Sequence, residues 1–428
     1  MHVRLKSLLL TPILLTFVAQ TAPAPAPAAR LDKASEFLKL AQNNLAKSSN
    51  EMLADMGRGG AARAQAALGD LAGAKKAATS IGFLKSETQI GIARIQAWTD
   101  KQGAVEYIHS LAASASPNEV SAIGAAEAEF GDIAGAQKTA AGMRPSWQQA
   151  QIYAGIATAQ IKAGDSAAGA KSFAAARDAL KANTDRYSRF GQIDLVRVQL
   201  DVGDVAGAKE TANGMSDADL KEIALGWLEK RGATPADPAS RESLEASRKA
   251  LADSKTAEPE PYLSLAYAYA KSGDKETAKS LLLQAREKAE AIDPQSEHHA
   301  EALASVSLDQ RGIDDAAAAE TMRSALAAAA KMTNRGNACH AYWMIAADQA
   351  RAGDTAGAKA TLALAMKETM DPAETAMRAG AVASGMARAD HEKADLSWIE
   401  HLKTPEQKGL AYAAAAEALA DPEDEKKQ

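Results

Sequence analysis

The stretch Gly353-Asp-Thr-Ala-Gly-Ala-Lys-Ala-Thr-Leu362, GDTAGAKATL, recurs along the chain. It returns as GDLAGAKKAA from Gly69, GDIAGAQKTA from Gly131, GDVAGAKETA from Gly203 and GDKETAKSLL from Gly273. Each copy ends one alanine-rich, helix-patterned run and opens another. Glycine suits the left-handed residue that closes a helix, where a side chain would clash. Aspartate then accepts from the free N–H groups that begin the next helix. The small residue four positions after the aspartate (Ala74, Ala136, Ala208, Ala278, Ala358) lets the two helices approach closely. The motif therefore reads as a helix–turn–helix corner.

Clear corners fall at Asp70, Asp132, Asp165, Asp204, Asp274 and Asp354. Weaker copies stand at Asp100 with Ala104, at Gly312, and at Asp390 with Ala394 and Trp398. Their spacing of 30 to 41 residues, apart from 70 between Asp204 and Asp274, is that of stacked helix pairs. Prolines add starts: Pro117, Pro145, Pro261, Pro294, Pro372 and Pro405 are expected at first helical positions, with Ser116, Asp293, Asp371 and Thr404 as caps. The expected class is all-α, a solenoid of about ten helix pairs.

Composition agrees with this class. Aromatic residues make up 4% of the 428-residue chain, and the single cysteine, Cys339, permits neither an internal disulfide nor a cysteine-based metal site. Net charge is −6 without a basic tract, which argues against a nucleic-acid partner. Residues 1–29 read as an export signal and Ala/Pro tract. His2, Arg4 and Lys6 precede the apolar run from Leu8 to Val18, which Pro12 interrupts and which is short for a membrane span. The expectation is export to a periplasmic or extracellular site, with no stable membrane insertion once the signal is removed.

Four further segments follow. Residues 30–230 form an N-terminal block of repeats, opened by a capping helix over Leu31–Lys47. Residues 231–261 form an irregular seam with Pro235 and Pro238 around one helix, 262–420 a second block, and 421–428 a charged tail.

The unit resembles the tetratricopeptide repeat. The best copy has Tyr262, Leu265, Ala266 and Tyr269 on its first helix and Ala278, Leu282 and Ala285 on its second. Tyr342, Ile345, Ala346, Ala358, Leu362 and Ala365 form another, and Tyr153, Ile156, Ala157, Phe173 and Ala176 a third. Early units put alanine at the large positions. The resemblance implies a right-handed superhelix of antiparallel pairs whose concave face binds protein or peptide segments, and it implies no chemistry or cofactor. On that face it places Thr158, Lys162, Arg197, Tyr267, Lys271, Trp343 and Arg351 as groove residues. The helix pattern makes core positions of Tyr262, Tyr269, Tyr342 and Trp398.

No catalytic or cofactor motif stands out. Gly57-Arg58-Gly59-Gly60 reads as a loose helix start. Glu297-His298-His299-Ala300-Glu301 reads as a polar first turn, because adjacent histidines diverge by about 100° on a helix. Cys339-His340 diverges in the same way, and Cys339 reads as a small core residue. The expected function is an exported scaffold that binds a protein or peptide, not an enzyme. Two alternatives stand beside it: a helical-toroid enzyme acting on polysaccharide, which needs facing carboxylates, and a structural spacer without a ligand.

Overall fold

A computed structural model describes residues 28–421 apart from Phe83, 113–114, 183–185, 233–240, Lys255, Thr369 and 392–393. The described residues hold twenty-one α-helices, one 3-10 helix and no strand. The signal and Ala/Pro tract up to Pro27, Pro235 and Pro238 of the seam, and tail residues 422–428 lie outside them. No helix among the described residues is long and apolar enough to cross a membrane.

The helices are α1 (Ala28–Leu45), α2 (Glu51–Ala67), α3 (Leu71–Thr79), α4 (Lys85–Ala97), α5 (Lys101–Ala112), α6 (Pro117–Glu129) and α7 (Ile133–Ala141). Then come α8 (Trp147–Lys162), α9 (Ser166–Lys181), α10 (Arg186–Asp201), α11 (Val205–Asn213), α12 (Ala218–Gly232), α13 (Arg241–Ser254) and α14 (Glu260–Lys271). The rest are α15 (Lys275–Glu290), α16 (Glu297–Gln310), α17 (Asp315–Lys331), α18 (Arg335–Arg351), α19 (Thr355–Ala365), α20 (Pro372–Ala389) and α21 (Pro405–Ala420).

Helices start and stop at the glycine–aspartate punctuation. The seven glycines with positive φ among the described residues, from 74° to 96°, are Gly69, Gly131, Gly164, Gly203, Gly273, Gly312 and Gly353, each closing a helix. Asp70, Asp132, Asp165, Asp204, Asp274 and Asp354 each accept from the backbone N–H three residues on, at 2.8–3.0 Å. The alanines four residues past the corner aspartates, Ala74, Ala136, Ala208, Ala278 and Ala358, are fully buried. First helices of successive units also pack on each other, as α6 does on α8, α16 on α18 and α18 on α20.

The corner carries a second polar layer. Gln199, five residues before Asp204, donates its amide to Asp204 Oδ2 at 2.9 Å and accepts from Thr211 Oγ1 at 2.7 Å. Thr361 donates to Gln349 at 2.7 Å and Ser172 to Gln160 at 2.7 Å, the same register in other units. This layer explains the glycine of D-x-A-G: a Cβ on Gly207 would lie 2.1 Å from Asp204 Oδ2 and 2.4 Å from Gln199 Nε2. At Asp274 the position is Thr277, whose own hydroxyl donates to Asp274 Oδ2 at 2.9 Å. At Asp204 the corner is thus a Gln–Asp–Thr network wrapped around a glycine.

Several expectations change. Helix α1 does not cap the start of a linear stack. It packs against α21, and α21 packs against both α20 and α2, so the N-terminal helix stands beside the last first-helix. Phe37 meets Tyr412 with ring centroids 5.7 Å apart, and Ala34, Leu38, Ala41 and Leu45 join one core with residues of α14 to α21. Spatial order therefore runs α14 to α21, through α1 and α2, and on to α12. Helix α12 touches α13 and α13 touches α14, so the series of neighbour contacts closes on itself.

Close approach by three neighbouring helices, α1, α4 and α21, explains Gly57, Gly59 and Gly60, which lie inside α2 rather than at a loose start. A Cβ there would lie 2.5 Å from a Leu45 methyl, 2.6 Å from the Thr88 hydroxyl and 3.5 Å from the Ala413 methyl, respectively. The corner expected at Asp390 opens no second α-helix: α20 ends there, and Trp398 stands in a 3-10 helix, Ser397–His401. Pro145 and Pro294 precede their helices by two or more residues, and Ser146 and Ser296 take the cap role, the latter in place of Asp293. In both cases the backbone turns once more after the proline.

Candidate partner-binding face

The groove residues separate by exposure. Tyr267 on α14 is 64% exposed, and Lys271 one turn later is exposed as well. Lys162 ends α8 exposed, with Thr158 half-buried one turn before it. Arg197 on α10 is half-buried, and its guanidinium lies 3.5 Å from Asp194. Arg351 ends α18 exposed, and its guanidinium donates to Asp348.

Trp343 breaks from the set. It is 2% exposed, and its ring stands 6.2 Å from that of Trp398. The 3-10 segment that replaces a second helix carries Trp398 against α18 and covers the position. Trp343 is a core residue. The core assignments Tyr262, Tyr269, Tyr342 and Trp398 are all buried in the structure.

Ion pairs bind neighbouring first helices along the series. Arg94 of α4 grips Glu129 of α6 through both carboxylate oxygens, at 2.8 to 3.1 Å. Arg63 of α2 does the same to Glu417 of α21, at 2.6 and 3.0 Å. Bidentate pairs are the strong, orienting kind. The contact between α2 and α21 is thus built like the contact between α4 and α6.

The carboxylates of α16 and α18 form an unusual pair. Asp309 is open to solvent, yet crowding by protein and then the nearby charge of Asp348 push its carboxyl up to about 6. Asp348 is buried; desolvation raises its carboxyl, with Glu301 adding to the effect and Arg351 opposing it. Raised carboxylates mark functional sites and structural networks alike. The carboxylate of Asp348 is already occupied by Arg351.

The remaining motifs are separated in space. His299 is buried with Nδ1 3.0 Å from the Ala289 carbonyl oxygen, whereas His298 is exposed with Nδ1 3.5 Å from Glu301. Cys339 is buried, which pushes its thiol up to about 11, and His340 lies 2.7 Å from Glu374 of α20. Among the described residues no group of three or more His, Cys, Asp or Glu could hold a metal ion. The cavity that α13, α14 and α15 enclose, about 460 Å³, is lined by Arg248, Tyr262, Glu276 and Gln284 and holds none of the groove residues.

The Gln–Asp–Ser/Thr network escaped the sequence reading although its signal is in plain view: Gln160, Gln199 and Gln349 each precede the corner aspartate by five and the hydroxyl by twelve. Compared with known proteins, the chain matches no family model and no curated protein.

Proposed function

We propose that this protein is an exported scaffold of tetratricopeptide type, a right-handed solenoid of about ten antiparallel helix pairs, which binds a protein or peptide segment on the face of its first helices. The observation that carries this reading is Tyr267. Other first-helix aromatics of this block, Tyr262, Tyr269, Tyr342 and Trp343, are buried, while Tyr267 holds its ring in water beside Lys271. A large exposed aromatic on a rigid helix, next to a cation, is the kind of anchor that interfaces concentrate energy on. Lys162 and Arg351 end two other first helices with exposed side chains. The test is affinity capture of partners from the native envelope with wild-type protein and with Tyr267→Ala/Lys271→Ala. Loss of specific partners from the variant, at unchanged thermal stability, supports the reading; identical partner sets remove it.

One observation favours the enzyme of toroid type: the closed series of contacts with Asp309 near Asp348. Asp309→Asn separates the readings. It abolishes hydrolysis of an oligosaccharide substrate under the enzyme reading and leaves partner capture untouched under the scaffold reading.

A further inference from the structure

One corner of the array departs from the Gln–Asp–Ser/Thr network in a way that creates a charge problem. At Asp132 the residue five positions earlier is Glu127, not glutamine. Thr139 still donates to it, Oγ1 to Oε2 at 2.7 Å. The amide that Gln199 aims at Asp204 has no counterpart here, because a carboxylate has no N–H to give. Two carboxylates face each other where other units hold a carboxylate and an amide.

The donor comes from the neighbouring unit. His109 of α5 places Nε2 3.0 Å from Asp132 Oδ2 and 3.3 Å from Glu127 Oε1. One ring nitrogen thus stands between both carboxylates, at the place the amide nitrogen takes elsewhere. We propose that His109, Glu127 and Asp132 form a proton-binding site, and that proton uptake there tightens the joint between the α4–α5 unit and the α6–α7 unit as pH falls.

The surroundings leave the proton little competition. Glu127 is buried. Desolvation raises its carboxyl and the charge of Asp132 raises it further, against Thr139 and His109, which lower it. On α6 itself, Glu129 is committed to Arg94 of α4 at 2.8 Å. From α5, Lys101 reaches over Gly131, the residue before Asp132, and Glu106 is exposed and lies 3.1 Å from Gln102 on its own helix. Helix α8, which packs on α6 and α7, carries one charged residue, Lys162, at its far end. Helix α7 carries Lys138, exposed.

The sign follows from the charges that meet at the ring nitrogen: a proton taken up between two carboxylates offsets their mutual repulsion. A group that holds its proton more tightly when folded adds stability at low pH, and that addition is lost as pH rises through its folded value. With the proton bound, the imidazolium donates between two carboxylates. Without it, two negative charges meet a neutral ring.

The test is amide exchange of α7, Ile133–Ala141, read as protection factors in the intact protein. For wild type we expect protection to fall by about three- to tenfold between about pH 5.5 and pH 8. Glu127→Gln rebuilds the amide corner, so its α7 protection stays flat over that range and exceeds wild type at the alkaline end. His109→Ala removes the bridging nitrogen and loses the acid-side gain. Parallel profiles for wild type and Glu127→Gln, or a pH dependence that survives His109→Ala, overturn the proposal.

Discussion

Arg30 Nε donates a 2.7 Å hydrogen bond to the carbonyl oxygen of Leu419, 389 positions away in the chain. Its Nη2 donates to the Asp421 carbonyl oxygen at 2.6 Å, and the side chain is buried. A cation seated on the last carbonyls of a helix satisfies orphan acceptors and the negative end of the helix dipole. This contact adds a polar tie to the packing of α1 on α21, where the two ends of the described chain meet.

Arg30→Ala is expected to destabilise the protein by about 2 to 3 kcal/mol, the range of a lost charge-assisted hydrogen bond plus unsatisfied acceptors. Urea unfolding measures it. Amide exchange adds the location: protection falls first in α1 and α21. An effect spread evenly over α5 to α11 would contradict the closing role.

Glycine to alanine in a helix interior ordinarily stabilises by up to about 1 kcal/mol. Gly226→Ala is expected to follow that rule, since nothing lies within 4 Å of its would-be Cβ. Gly207→Ala is expected to reverse it, with a loss of about 1 to 2 kcal/mol, because the methyl displaces the Asp204 cap. Denaturation midpoints of the two variants decide the matter, and equal stabilisation of both would refute the network as the reason for the glycine.

Acid is expected to loosen the end-to-end contact. Burial works against the charge on Glu406, and hydrogen bonds from backbone N–H groups and from Thr404 and Ser48 outweigh it, holding the carboxyl down to about 2. Its Oε1 accepts from Ser48 Oγ at 2.8 Å and from Ser49 N at 2.8 Å, pinning the α1–α2 connection to α21. A carboxyl depressed in the folded state adds stability above its ordinary value and loses it as pH falls through its folded value. Exchange protection of α1 should therefore drop between about pH 4.5 and pH 2. In Glu406→Gln it should already be low at neutral pH and change little over that range.

Cys339 should resist alkylation in the native protein. Its thiol is buried, which pushes it up to about 11, and the thiolate is the reactive form. Mass spectrometry after iodoacetamide at about pH 8 should find it unmodified until denaturant is added. Rapid native labelling would show that α18 opens far more readily than its packing implies.

Much of the local architecture could be read from the chain. Gly353 and Asp354 act on backbone atoms within a few residues of themselves, and the alanines one turn later are buried as their register requires. Residues whose surroundings come from other units were harder to read. Trp343 sits at a register that an open solenoid would expose, and it is covered by a segment that departs from the repeat. The glycines of α2 read as a loose helix start because the side chains that require them, those of Leu45, Thr88 and Ala413, stand on other helices.

The amino-acid order by itself determined the helices and their corners, since left-handed glycines and aspartate caps are set by hydrogen bonds a few residues long. Tertiary structure alone decided that α1 seats against α21 and that the contacts run full circle. That outcome depends on matching Ala- and Gly-rich surfaces and on Arg30, Arg63 and Glu406 meeting partners hundreds of residues away. Shape complementarity at that range leaves no periodic trace in a sequence.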